Sequence, residues 1–396
     1  MAHRAMSLAT VFVVITGIHA QDDKNCDFVR GTSTLGNFTH WAVSTEARQC
    51  AIVPRNIYSK GGNMADAAVA TLLCMGVVIP KAMGIGGGFV ATFYSRRERR
   101  ALSLISREVA PRAARRDMFA GNATLSRKGG LSIAVPGELR GYAEIHKRFA
   151  GRLPWRALFA DAIRLASEGF PVGNSLAYSL CYEARDLFGC RDGPCDPTWE
   201  PFWNSEEKRP LIAGERLVQK DLARTLAEIA KHGPDYFYKG NLAKTMPFAI
   251  NSNCGNMFIL GGILNLKDLR SYKPTWTRPV SVTFRDGRIA YSAPPPAGGA
   301  VYAYIMGIMD AFRSDDHADL QDDVLTLHRF VEACKFAYAK RALLGDPRFV
   351  NVADVSIEPA AALSAAEVGT ADCYDATNIA DFMYPETGQT FSASQK

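Results

Sequence analysis

The chain has 396 residues, 47% of them hydrophobic and 22% charged, with a formal net charge of +6. These are globular values with ample material for a core, and no repeat or low-complexity tract divides the chain. Eight arginines fall in Arg96–Arg100 and Arg107–Arg116. They lack the aromatic interleaving and recognition motifs of a nucleic-acid surface, so no nucleic-acid partner is expected and a solvated hairpin tip is.

The N-terminus reads as a secretory signal over residues 1–20: Arg4, then apolar Met6 to Ile18, then Ala20 before a cut. That apolar run is shorter than the ~20 residues of a membrane span. Asn37-Phe38-Thr39 and Asn122-Ala123-Thr124 are glycosylation sequons, so Asn37 and Asn122 are candidate glycan sites. Nine cysteines fit an oxidising compartment without setting connectivity, and the odd count leaves at least one thiol free. Cys190 and Cys195 flank a Gly-Pro turn and could close a small loop. Cys74 and Cys334 read equally as small core hydrophobes. No metal-ligand spacing is present, and the pattern calls for no cofactor.

A helix is expected from Asn63, a good N-cap, with Asp66 in its first turn. From Ala65 to Val77 it is apolar almost all round, which predicts a buried helix. Gly84, Gly86, Gly87 and Gly88 follow. They do not form a phosphate loop, because Phe89 stands where the next glycine would be required and the loop leads into a strand, not a helix. The glycines either let backbones pack closely or form the wall of a site. Phe89 to Tyr94 and Ala101 to Ser106 read as strands around a polar turn, and the second delivers Arg107-Glu108. A guanidinium presented by a rigid strand suits the bidentate holding of a carboxylate; its alternative is a structural ion pair with Glu108 or Asp117.

Further on, Gln219 to Lys231 is amphipathic, with Gly233 past its end. Ser281–Phe284 and Ile289–Ser292 flank a hairpin turn. An apolar helix over Val301 to Phe312 follows Gly298-Gly299, its start being a simple helix entry or an anion site. Val324 to Leu344 forms a long helix before Gly345 and Pro347. His328 and Glu332 share one face of it and, without a third ligand, read as helix surface. No G-x-S-x-G elbow or H-E-x-x-H pair occurs.

The ordered blocks GGNMADAA (Gly61–Ala68), GIGGG (Gly84–Gly88) and REVAP (Arg107–Pro111) resemble the γ-glutamyltransferases, or glutathione hydrolases. GGLSIAVPGELRGY, GRLPWRALFADAIRLASEGFPV, GGILNLKDLRSY, SAPPPAGG and HRFVEACKFAYAKRALLGDP continue the resemblance in family order, from about Val43 to Pro385. It implies an α+β fold, the four-layer αββα sandwich of N-terminal-nucleophile hydrolases. A large-chain domain would span residues 21–389 and a stub of the small chain residues 390–396, leaving the sandwich incomplete without the rest of that chain.

The resemblance also implies a mechanism. The precursor would cut itself before Thr390, whose hydroxyl then attacks a γ-glutamyl amide. Pro385, Gly388, Thr390 and Ser394 match the family pattern, whereas Gln389 stands where glycine is usual and Ser392 where histidine is. Arg107 would hold the donor's α-carboxylate, with Glu108 orienting it, and Cys50 would pair with Cys74. Glutathione is the implied donor; water, an amino acid or a dipeptide is the acceptor; the small chain of the same precursor is the partner. The 396-residue chain alone is expected to be inactive, and a non-catalytic secreted relative is the alternative. The implied location is the secretory pathway, either secreted or on the extracellular face of the plasma membrane, where animal relatives keep the N-terminal segment as an anchor.

Overall fold

In the computed structural model the described residues are 26, 36–184, 188–190, 193–194, 197–251, 261–312 and 323–352. They fall into two units, one of Met1–Gly88 with Glu108–Tyr272 and one of Phe89–Arg107 with Lys273–Lys396. Thr390, Gln389, Ser392, Cys195 and the segment 1–20 lie outside the described residues.

The first unit is built around one largely buried helix. Helix α1 spans Val53–Ser59 and α2 spans Met64–Val78. The start of α2 is fixed by a reciprocal cap: Asn63 Oδ1 accepts from the Ala65 and Asp66 amides, and Asp66 Oδ2 accepts from the Asn63 amide at 2.8 Å. Small and branched residues on every side of α2 are buried, among them Ala65, Val69, Ala70, Leu73, Cys74 and Val77. This follows from a sequence with no polar stripe to leave in water. Around it pack α1, α3 (Glu138–Arg148), the turn Trp155–Phe159 and α4 (Ala160–Glu168). Helix α5 (Lys220–His232) lies against α4, with Ala223, Leu226 and Ile229 buried, and stops at Gly233 (φ 79°). Gln219, at its cap position, is buried and donates to the Val77 carbonyl at 2.9 Å.

Among the described residues, two disulfides reinforce this unit. Cys50–Cys74 ties the segment before α1 to the middle of α2. Cys26–Cys181, spanning 155 positions, was not legible as a pair in the sequence. Helix α6 (Leu266–Ser271) repeats the reciprocal cap with Asn265 and Asp268, and Asp268 also accepts from the Arg112 amide at 3.1 Å.

In the second unit, β1 (Phe89–Ser95) and β2 (Arg100–Ser106) pair antiparallel in the register Phe89↔Ser106 to Ser95↔Arg100. Strand β3 (Thr275–Thr277) adds to β2. Strands β4 (Val280–Thr283) and β5 (Ile289–Ser292) form the expected hairpin. Helix α7 covers Gly299–Ala311, starting two residues before the expected Val301. It packs on β4 and β5 and, through Val301, Tyr304 and Ile308, on Ala333 and Ala337 of α8 (Asp323–Arg341). Gly299 is required there: a Cβ would lie 2.0 Å from the Ala293 carbonyl oxygen. Helix α8 ends short of the expected Leu344, because Leu343 and Leu344 bond in tight turns to the Lys340 and Arg341 carbonyls.

Candidate active site

Strand β2 ends at Ser106, and Arg107 follows as an exposed residue. The strand is buried on alternate and flanking positions, with Leu104 and Ser106 fully enclosed, so the backbone that presents Arg107 is well held.

In the first unit, Glu108 begins a short extended stretch that bridges to the residues before α3. Val109 and Val135 exchange both backbone hydrogen bonds, at 3.3 and 2.8 Å. The glycine loop is bound to the same place. Its Gly87 carbonyl accepts from the Gly137 and Glu138 amides, at 2.8 and 3.1 Å, and the Gly87 amide bonds back to Gly84. A Cβ at Gly87 would stand 3.6 Å from the nearest carboxylate oxygen of each of Glu108 and Glu138. On the other side, a Cβ at Gly76 would lie 3.0 Å from the Gly84 Cα. The loop therefore runs between a helix backbone and two carboxyl groups, with the tightest approach at Gly76 and Gly84.

Glu138 is the residue that sequence reading missed. It is 1% exposed, on the first turn of α3. Its Oε1 accepts from the Gly84 amide at 3.2 Å, and its Oε2 accepts from the Tyr142 hydroxyl at 2.7 Å. Apolar neighbours, including Leu73, Val77, Ile85 and Leu226, line a small cavity beside it. Burial pushes its carboxyl up to about 7; the Glu108 carboxylate adds to the rise, and the Tyr142 and Gly84 hydrogen bonds oppose it. Tyr142, itself fully buried, is pushed well above the usual phenol range by burial and by Glu138. The only sequence cue was a glutamate with tyrosine four residues on, which by itself reads as an ordinary first-turn acid. A further layer lies behind: Arg140 pairs with Asp235 at 2.6 Å and covers the Tyr238 ring, whose hydroxyl donates to the Pro136 carbonyl at 2.9 Å.

Asn37 and Asn122 are exposed, and Asn122 Oδ1 accepts from the Thr124 amide at 3.0 Å. On α8, Glu332 pairs with Lys335 at 2.6 Å, in keeping with the helix-surface reading of His328 and Glu332. Among the described residues no group of three or more His, Cys, Asp or Glu is arranged for a metal ion, and no helix is long and apolar enough to cross a membrane.

Helices around an enclosed α2, a rigid β1–β2 hairpin and a carboxyl-bound glycine loop define a mixed α/β protein of the N-terminal-nucleophile hydrolase type, and solved structures of that type match it. The γ-glutamyltranspeptidase of Helicobacter pylori superposes with a TM-score of 0.71 at 29% identity, covering 81% of this chain and 90% of that one. That of Pseudomonas nitroreducens, complexed with L-DON, superposes with 0.68 at 32% identity, covering 90% and 97%. The gamma-glutamyltranspeptidase family model matches residues 50–371, and the chain belongs to that family of hydrolases and transferases. Among named relatives, Scoloptoxin SSD14 of Scolopendra dehaani is 38% identical over 82% of this chain and 55% of its own length. Glutathione hydrolase 3 of Arabidopsis thaliana is 34% identical over 87% and 51%. The chain thus spans about half the length of these curated relatives.

Proposed function

We propose that this chain serves γ-glutamyl transfer and hydrolysis, with glutathione and related γ-glutamyl compounds as donors and water, amino acids or dipeptides as acceptors. The observation that carries this reading is Arg107, exposed at the end of a well-held strand within the family-matched region. Its guanidinium makes two parallel charge-assisted bonds to the donor's α-carboxylate, and Glu108 helps to fix its direction. Thr390 is the nucleophile in this reading, freed by cleavage before it. Its oxygen bonds to the γ-carbonyl carbon, the amide C–N bond breaks, and the hydroxyl proton passes through the α-amino group to the leaving amine. Water or an acceptor amine then resolves the ester. The partner is the small chain of the same precursor, and the location is the secretory pathway or the outer face of the plasma membrane.

The test is turnover of a γ-glutamyl anilide by the natural mature protein beside Arg107→Ala and Thr390→Ala. Loss of the guanidinium is expected to raise KM by about 10- to 100-fold, the worth of hydrogen bonds to a charged group. Loss of the hydroxyl should abolish turnover. Equal activity of the Arg107 variant and the unaltered protein would refute the grip. A second reading, a non-catalytic secreted relative, is favoured by Gln389 and Ser392 and is in keeping with a toxin among the relatives. It predicts no turnover by the natural protein at all.

A further inference from the structure

The tip of the β1–β2 hairpin carries a surface that γ-glutamyl chemistry does not use. Ser95 pairs with Arg100, so Arg96, Arg97, Glu98 and Arg99 close the turn. The turn has a defined shape: the Glu98 amide donates to Ser95 Oγ at 3.2 Å, and Arg99 holds a left-handed conformation (φ 48°) that side-chain-bearing residues rarely take. All of residues 96–100 are exposed. Several other surface arginines sit on carboxylates, as in Arg209–Glu215 at 2.9 Å, Arg288–Asp286 at 2.6 Å and Arg164–Asp161 at 3.4 Å. Among the described residues, none of the four hairpin guanidiniums has such a partner, and the single acid in the turn leaves a concentrated positive charge.

Beside them on β1 stands Tyr94, 54% exposed, its ring stacked on Tyr291 of β5 at 5.8 Å between centroids. A fixed aromatic face next to forked cations suits a sugar ring that carries sulfate: ring C–H groups lie on the tyrosine, and sulfate oxygens take paired N–H donors. A membrane is a poorer match, because residues 96–100 include no apolar side chain to enter it. Nucleic acid is a poorer match too, because the two disulfides among the described residues fit an oxidising compartment outside the cytosol and nucleus.

We propose that this hairpin tip binds a sulfated polysaccharide. The test uses the full chain, with a heparin dodecasaccharide as probe, in calorimetry and in salt elution from immobilised heparin. The variant Arg96→Gln/Arg97→Gln/Arg99→Gln/Arg100→Gln is compared with Arg48→Gln/Arg55→Gln/Arg115→Gln/Arg127→Gln, which removes the same charge from other exposed arginines. Near-UV circular dichroism checks that both remain folded. The hairpin variant is expected to lose roughly tenfold or more in affinity and to elute at lower salt, with little change in the control. Desulfated heparin should not bind. Equal losses in the two variants would overturn the proposal in favour of bulk charge. Single-stranded DNA or phosphatidylserine vesicles binding as tightly as heparin, with the same hairpin dependence, would overturn it in favour of another partner.

Discussion

Replacing Glu138 by glutamine should stabilise the protein at neutral and alkaline pH while leaving it nearly unchanged near pH 4.5. In the unfolded chain this carboxyl titrates at 4.5, and in the folded protein at about 7. The native state therefore keeps a proton that the unfolded state sheds between those values, so native stability falls as pH rises through that window. At about 1.4 kcal/mol per pH unit, the full cost above pH 7 comes to roughly 3 kcal/mol. Glutamine escapes it, because its amide oxygen still accepts from Gly84 and its nitrogen can donate to the Tyr142 oxygen. The assay is urea unfolding of both proteins at a series of pH values from about 4.5 to about 8. Taking the difference cancels carboxylates that titrate the other way, such as Glu215, held at about 2 by Arg209. A difference that stays flat across the range, or shrinks as pH rises, would refute the reasoning that burial governs Glu138.

Other outcomes are as definite. Tyr142→Phe removes a hydrogen bond that lowers the Glu138 pKa, so the fall in stability should still begin near pH 4.5 but extend to higher pH, read in the same unfolding series. Gly299→Ala puts a methyl against the Ala293 carbonyl and should cost roughly 1–3 kcal/mol, whereas Gly298→Ala, with open space around it, should be near neutral by thermal melting. Removing both Cys50 and Cys74 should cost about 3–4 kcal/mol from loop closure, and mild reduction that spares neither disulfide should cost more.

Local physics was legible in the sequence, and long-range pairing was not. The cap at Asn63, the enclosed α2, the two hairpins and the position of Arg107 at a strand end could all be read from neighbours within a few residues. Glu138 could not, because its burial is set by a loop 54 positions earlier in the chain. Cys26 and Cys181 face the same barrier, as does β3, which adds to β2 from beyond position 270. Helix ends slipped by a few residues where turns, not propensity, decided them, as at Leu343 and Leu344.

The glycine loop has a consequence for how this chain can vary. Gly86 faces open space, so many residues should be accepted there in a library screen. Gly84 has less latitude because of its positive φ (+155°), and Gly87 because a Cβ there would stand 3.2 Å from the Gly84 carbonyl oxygen. Position 76 should stay glycine, because a Cβ there would stand 3.0 Å from the Gly84 Cα. A locus that looks like a run of interchangeable small residues is, in its tolerance to change, one permissive site between two constrained ones.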